Sequence, residues 1–579
     1  MNKQIVFLIS LLFAVYGCTD PAVENIRGLE DTYKDPNFAQ GLVINGYARI
    51  PTNSWSFNEM ATDDAVSSNV SNTYLKVATG QWRPIGNPFD QWRNSKAAIQ
   101  YLNLYLEVAD NVTYATSTEA VNEMFRDRNI GEAYGLRALF MYYLLRNHAG
   151  KVNGELLGVP IVNEPESVDS DFNVSRPAFE LCMQQIYSDL DMAIDLLPLD
   201  YFDIADESLI PVKYASLNPT VVDYNRAFGD DSKLLFSGRI GKAIKAQAAL
   251  LAASPAFTGN TTTWEDAANY AADVIDDNNG VAGVAQDGFS WWTNTGAAAG
   301  GNNPAEILWR TSMGGNSSNL EADNFPPTLY GSGLVNPTQN LVDAFPMANG
   351  YPIDDPNSGY DPTDPYAGRD PRLSQTVIYN GSTAGVNNTA IITAGDGTTN
   401  DALNKVETST RTGYYLKKLL RQDVNLTPGT VSGQPHLQPR IRYTEIYLIY
   451  AEAANEAWGP TNSGGNAYSA YDVIKAIRER AGITGGDVYL ESIKNDKNEM
   501  RKLIRNERRI ELSFEGFRFW DLRRWNEDLT ETAEGVNITS NTFNMINVEN
   551  RVYEPYMIYG PIPQSEILKY DALQQNDEW

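Results

Sequence analysis

Residues 505–525 read Arg505-Asn-Glu507-Arg508-Arg509-Ile-Glu511-Leu512-Ser-Phe-Glu515-Gly516-Phe-Arg518-Phe-Trp520-Asp521-Leu522-Arg523-Arg524-Trp525. Upstream, Met500, Leu503, Ile504 and Ile510, with Phe514 after them, recur at helical spacing and make 497–515 one amphipathic helix. Gly516 is its stop signal. Glu507 interrupts the apolar face. Glu507/Glu511 and Glu511/Glu515 stand four residues apart and Arg508/Glu511 three apart, so these side chains are neighbours on the helix surface. Four arginines fall within residues 501–509. Carboxylates in such company are ion-paired and ionised, not raised-pKa general acids. The block therefore predicts a partly buried ion-pair cluster that fixes helix packing.

Working outward, the same periodicity marks helices at about 91–108, 119–147, 177–197, 238–254, 264–277, 442–458 and 467–481. Two helix pairs resemble each other. In each, an Ala-rich first helix (246–253; 450–457) is followed by a second led by an aromatic, Trp264 or Tyr468, that runs on to Asp-Val-Ile. Repeated helix–turn–helix units of this kind are the tetratricopeptide pattern, in which neighbours bury each other's faces. Residues 281–440 differ, being rich in Gly, Asn, Thr, Pro and Asp, with short strand-like runs at Ile307–Arg310 and Thr376–Tyr379. Long loops inside a compact protein carry function. The tail Tyr556–Pro563 reads as a short edge strand or a Pro-bounded turn.

Composition narrows the function. The 579 residues carry 45 Lys+Arg against 73 Asp+Glu, a net charge of −28, which argues against a nucleic-acid binder. With two histidines and two cysteines, a Cys/His zinc site, a disulfide framework and a CxxC centre have no raw material. Cys182 lies on the apolar face Phe179, Ile186, Leu190, Ala193 and reads as a small buried hydrophobe. No metal or cofactor is expected. Asp355-x-Asn357-x-Gly359 and Asp361-x-x-Asp364 gather hard oxygens, but Gly359 replaces a ligand and no closing Glu follows, so they read as turns. Aromatics are abundant instead: 11 Trp, 32 Tyr and 20 Phe.

The N-terminus reads as an export signal. Lys3 precedes an apolar run from Ile5 to Val15, too short to span a bilayer, that ends in Val15-Tyr16-Gly17-Cys18. An aliphatic residue three positions and a small residue one position before a cysteine resemble a bacterial lipobox. Residues 1–17 are then a lipoprotein signal peptide, Cys18 is the lipidated residue, and 18–40 form an acidic tether.

The block at 505–525 closely resembles the C-terminal signature of the SusD/RagB family, the surface nutrient-binding lipoproteins of Bacteroidetes. Other segments agree in chain order: Thr62-Asp63-Asp64-Ala65, Glu132-Ala-Tyr-Gly-Leu-Arg137, Gly158-Val-Pro160, Arg176-Pro177, Asp189-Leu190, Asn336-Pro-Thr338, Arg369-Asp370-Pro371-Arg372, Thr412-Gly413-Tyr414 and Arg442-Tyr443-x-Glu445. The resemblance covers about 119–579 plus the N-terminal signals. It implies a mostly α, SusD-like fold: one unit over 41–579, with a tetratricopeptide-like scaffold at about 91–280 and 440–530. A loop-rich ligand-binding part would take about 41–90 and 281–440. It also implies a role as a lid on a TonB-dependent, SusC-like outer-membrane barrel, delivering oligosaccharide or, in some members, peptide, without catalysis.

Two other classes stand beside this one. A glycoside hydrolase needs a placed carboxylate pair, and with 73 acidic residues pairs along the sequence carry no information. A pure protein-interaction scaffold would use the helix pairs alone. For the ligand, sugars need flat aromatic platforms flanked by hydrogen-bonding side chains. Two polar, loop-like stretches have that mixture: Gly80–Asn87 and Asp287–Asn294. Trp82, Trp291 and Trp292 are therefore the expected platforms, with Asn87, Asn294 and Asn316 as polar partners.

Overall fold

The structure, a computed structural model, describes residues 33–299, 301–483 and 486–579. Cys18 and the signal segment lie outside the described residues. The principal helices are α1 (Pro36–Ala48), α2 (Trp92–Val108), α3 (Glu119–His148), α4 (Phe179–Leu196), α5 (Gly238–Ala253), α6 (Trp264–Asp276), α7 (Tyr443–Trp458), α8 (Ala470–Arg480), α9 (Lys497–Glu511) and α10 (Arg518–Arg524). Each packs on the next from α1 through α8, and α9 packs on α7. The two look-alike pairs, α5/α6 and α7/α8, are thus direct neighbours although about 165 residues separate α6 from α7.

Small residues allow that stack. Ala246, Ala249, Ala267, Ala271, Ala451 and Ala454 are all buried, which lets helix axes approach closely. The second helix of each pair starts on the same device. Thr263 and Ser469 accept the N–H of Asp266 and Asp472, and each Asp accepts the cap N–H in return. In α4, Cys182 is buried; its Sγ–H donates to the Val159 carbonyl at 3.3 Å, and burial pushes the thiol up to about 11. The inert reading of that cysteine holds.

Strands are short and paired in twos. Those that matter here are β1 (Ala65–Ser67), β2 (Ile307–Arg310), β3 (Val335–Pro337), β4 (Pro439–Arg442), β5 (Ala533–Thr539) and β6 (Thr542–Glu549). β1 runs antiparallel to β3, β2 to β4, and β5 to β6. The β5–β6 hairpin was not foreseen, and the tail expected as an edge strand or turn is a 3₁₀ turn, Pro555–Ile558. A second correction concerns the tether. Residues 36–40 are the first turn of α1, where Asp35 accepts the Asn37 N–H and Ala39 is buried, so the helical array begins inside the stretch assigned to 18–40. In the other acidic loop, Asp355 and Asp361 spend their carboxylates on turn hydrogen bonds from Asn357 and Thr363.

α9 joins two apolar cores. Met500, Leu503 and Ile504 belong to the core of the helical stack, and Ile510 with Phe514 to that of the loop-rich part. Between them Glu507 and Glu511 point into a buried web of charge. Glu507 accepts from Arg372 (2.9 Å) and Arg478 (2.7 Å), Glu511 from Arg372 (2.9 Å) and Arg480. Asp370 braces Arg372 at 2.6 Å and Asp487 braces Arg478 at 2.6 Å. The expected Arg508/Glu511 pair is not made; Arg508 instead donates to Asp521 of α10 at 2.7 Å. Arg509 and Arg518 hold Asp63 at 2.7 and 2.8 Å, tying the block to the start of the chain.

Burial alone would raise the Glu511 carboxyl, but Arg480, Arg372 and Arg442 outweigh it and hold it down at about 2, against an ordinary 4.5. A depressed folded-state pKa makes its stabilisation complete above pH ~4.5 and lost as pH falls towards 2. Glu511→Ala takes its close carboxylate from buried Arg480, leaving Glu306 at 3.8 Å, and one of three from Arg372, at a cost of about 3–5 kcal/mol. Chemical denaturation at pH 7 measures that loss, and the difference between variant and parent should shrink steadily when the measurement is repeated below pH 4.

Candidate functional site

At the seam between the helical stack and the loop-rich part lies a cavity of about 370 Å³, within the range of small-molecule pockets. Its walls come from the segment after α1, the C-terminal end of α3, strand β4, the start of α7, and the α9–α10 block. Trp55, Tyr74, Tyr142, Tyr143, Phe517 and Trp520 supply its aromatic surface. Tyr142 and Tyr143 are adjacent on α3 and both buried, while Trp55, Phe517 and Trp520 are half-buried.

The polar lining is unusual for an interior. Gln91 Oε1, Asn147 Oδ1 and Asn58 Oδ1 are buried acceptors without a protein donor, and Arg146 Nε, Arg440 Nε and Arg508 Nη1 are buried donors without a protein acceptor. Such groups are costly unless water or a ligand completes them. Glu445, at the start of α7, accepts from Gln247 at 2.7 Å; burial pushes its carboxyl up to about 7 despite the nearby Arg508. Glu515 is taken by Arg442 (2.8 Å) and Lys418 (2.7 Å), and Asp521 by Arg508 (2.7 Å) and Arg524 (2.8 Å). Among the described residues no group of three His, Cys, Asp or Glu side chains is placed to hold a metal ion.

The side chains expected to stack on ligand do not converge here. Trp82 is 3% exposed, edge-on to Phe89 (5.7 Å), Phe519 (5.6 Å) and Trp579 (4.9 Å), with its Nε1–H donating to Asn87 Oδ1 at 2.8 Å. Asn87 also accepts the Phe89 N–H and so serves its own loop. Trp291 is 0% and Trp292 6% exposed, packed edge-on against each other at 5.6 Å. Asn294 is exposed and donates to Asp287 at 2.8 Å, and Asn316 is exposed in a loop of its own. None of the three tryptophans offers a face to solvent, because each ring finds enough apolar cover under its loop to be drawn inward.

Their positions are still instructive. Trp82 backs Phe89, which lines the cavity, and Trp291 backs Trp55 at 6.2 Å. They form a second layer behind the lining aromatics. Trp55 lies in Pro51-Thr-Asn-Ser-Trp55-Ser, a polar, Pro-led loop of the same character as the two stretches singled out above, and that signal was available. Arg146 and Trp520 had no such signal, since they sit within helices whose other residues are core.

Residues 260–579 match the model of the SusD family, and residues 38–216 match one described as starch-binding associating with outer membrane. Among curated proteins, the SusD-like protein P25 of Formosa agariphila is 32% identical over 167 residues, 28% of each chain. A second SusD-like protein of that organism is 37% identical over 86 residues, 15% of this chain and 16% of its own. These matches therefore span less than a third of the curated relatives. Two solved structures from Bacteroides fragilis NCTC 9343 align over nearly the whole chain. A SusD-like protein does so with TM-score 0.70 at 23% identity, covering 95% of this chain and 98% of its own. A SusD-like carbohydrate-binding protein does so with TM-score 0.68 at 22% identity, covering 94% and 100%. With more than half the chain matched by its model and the predicted mostly helical architecture in place, the chain belongs to the SusD family.

Proposed function

We propose that this protein is an outer-membrane lipoprotein, anchored through Cys18 and facing the cell exterior. It binds oligosaccharide in the seam cavity and delivers it, as a lid, to a TonB-dependent SusC-like barrel. The observation that carries the binding part is the cavity itself: half-buried aromatic faces beside buried polar atoms that have no protein partner. A sugar meets both needs, stacking its C–H face on a ring while its hydroxyls complete the polar groups. One matched family description names starch and the outer membrane, and one structural neighbour is a SusD-like carbohydrate-binding protein. The role is non-catalytic. Glu445 has the raised pKa of a general acid, but its cavity companions Glu515 and Asp521 are both locked in ion pairs. Release of reducing sugar from a polysaccharide panel would sink this part.

The layered aromatics separate binding from folding. Trp55→Ala should weaken oligosaccharide binding by about thirtyfold, roughly 2 kcal/mol, with the fold retained. Trp82→Ala should instead cost about 3–5 kcal/mol of stability, as for a buried aromatic replaced by a cavity. Calorimetric titration and thermal melts of the two variants tell these outcomes apart, and equal effects on binding would move the site elsewhere.

Attachment and partnership are read on membranes. Cys18→Ala should abolish acyl labelling and release the protein from the outer-membrane fraction; full retention would refute the anchor. Gentle detergent extraction followed by native mass spectrometry should recover a complex with the barrel, and recovery as a free monomer in the presence of the barrel counts against the lid.

A further inference from the structure

We infer that the seam cavity selects an acidic oligosaccharide, one whose rings bear carboxylate or sulfate groups, and that Arg146 and Arg440 read the charge. This rests on the glycan-binding reading of the same cavity and adds the chemical class of the ligand.

The first argument is charge. The chain as a whole carries −28, yet five arginines line the cavity against three carboxylates. Three of those arginines are committed to carboxylates. Arg442 holds Glu515 and Glu306, Arg508 and Arg524 share Asp521, and Arg524 also binds Glu452. Arg146 and Arg440 remain, and among the described residues neither forms an ion pair. Arg440 instead donates to Asn53 Oδ1 at 2.7 Å and lies 4.6 Å from the Trp309 ring centre. Arg146 lies 4.5 Å from the ring centre of Trp520 and 5.1 Å from that of Tyr143. Arg440 Nη1 also donates to the Arg310 carbonyl at 3.4 Å, so its Nε–H is the donor left over, as is that of Arg146. A cation held beside rings with an uncommitted N–H suits an anionic oxygen.

The second argument is the kind of polar atom left incomplete. Of the partnerless lining atoms that can donate, Arg146 Nε, Arg440 Nε and Arg508 Nη1 belong to cations, and the fourth, Thr52 Oγ1, is a hydroxyl that can equally accept. The partnerless acceptors, Gln91 Oε1, Asn147 Oδ1 and Asn58 Oδ1, all belong to neutral amides. Sugar hydroxyls can donate to the amides. A neutral sugar offers the arginines only neutral oxygens, whereas a sugar acid offers charged ones, which form the stronger hydrogen bonds. Burial already pulls the Arg440 pKa below its ordinary value, so this cation sits where an anion would be welcome. A bare inorganic anion would leave the amides and the Trp55 and Trp520 faces unused.

The test uses the detergent-extracted full-length protein on a glycan array holding uronic-acid, sulfated and neutral oligosaccharides. The best binders are then titrated calorimetrically against their carboxyl-reduced or desulfated counterparts. The expected result is that bound glycans carry acid groups and lose at least tenfold in affinity when those groups are removed. R146Q and R440Q should each abolish that difference, and R146K should retain most of it. Circular dichroism reports the fold of each variant, and R440Q stands as an independent check should R146Q unfold. Preference for neutral glycans, or an acid preference unchanged in R146Q and R440Q, overturns the inference and leaves the glycan reading standing. Binding of no glycan at all overturns both. Complete competition by equimolar sodium sulfate reduces the cavity to an anion hole and overturns the oligosaccharide assignment.

Discussion

Glu507 and Glu511 stand one turn apart on α9, both fully buried, and no local partner neutralises them. Their charge is met by Arg372 from the loop-rich middle and by Arg478 and Arg480 from α8, with Arg442 from β4 also facing Glu511. Carboxylates taken out of water are penalised heavily, and only several cations with hydrogen bonds in good geometry offset that cost. The web therefore closes only when the middle, β4, α8 and α9 are all in register. An apolar seam of the same area would tolerate sliding; this one does not, because a shift of one residue would leave an arginine facing hydrocarbon.

The cavity depends on that closure. Arg442, Arg508, Arg524, Glu515 and Asp521 belong both to its wall and to the charge network around α9 and α10. These wall side chains are thus fixed by ion pairs that continue into the protein. Trp55 leans on Trp291, and Phe89 stacks on Phe519 at 3.8 Å in front of Trp82. A wall braced in two layers keeps its shape on its own, and on the proposed reading that spares the ordering cost of binding.

Much of the fold was legible because its signals are local. The helical periodicities at 91–108, 119–147, 177–197, 238–254 and 264–277 reappear as α2 to α6 within about two residues at either end. The ion-paired reading of Glu507 and Glu511 holds, but through the distant Arg372, Arg478 and Arg480 and not through the four arginines at 501–509 that suggested it. The identity of the partners was not legible. The i,i+3 rule pairs Arg508 with Glu511, but tertiary structure presents Asp521, which adds a second helix to the bargain. The β5–β6 hairpin was missed because its turn residues Ser540 and Asn541 reach positive φ (49° and 60°) without the Asn-Gly sequence that announces such a turn.

The burial of the expected platforms Trp82, Trp291 and Trp292 was not legible for a different reason. A tryptophan in a polar loop is drawn towards whichever apolar surface lies beneath the loop, and the sequence around Trp82 or Trp291 holds no record of that surface. Trp82 meets Phe519, more than 400 residues away, and Trp55 meets Trp291. Composition can locate loops rich enough in aromatics to build a site, and it did so here to the extent that two of the expected tryptophans stand directly behind lining rings. Which ring becomes wall and which becomes buttress is settled by the order in which apolar partners stack. The wall residues Tyr142, Tyr143 and Arg146 carry the periodicity of core helix α3, and only the position of that helix's C-terminal end at the seam brings them to the cavity.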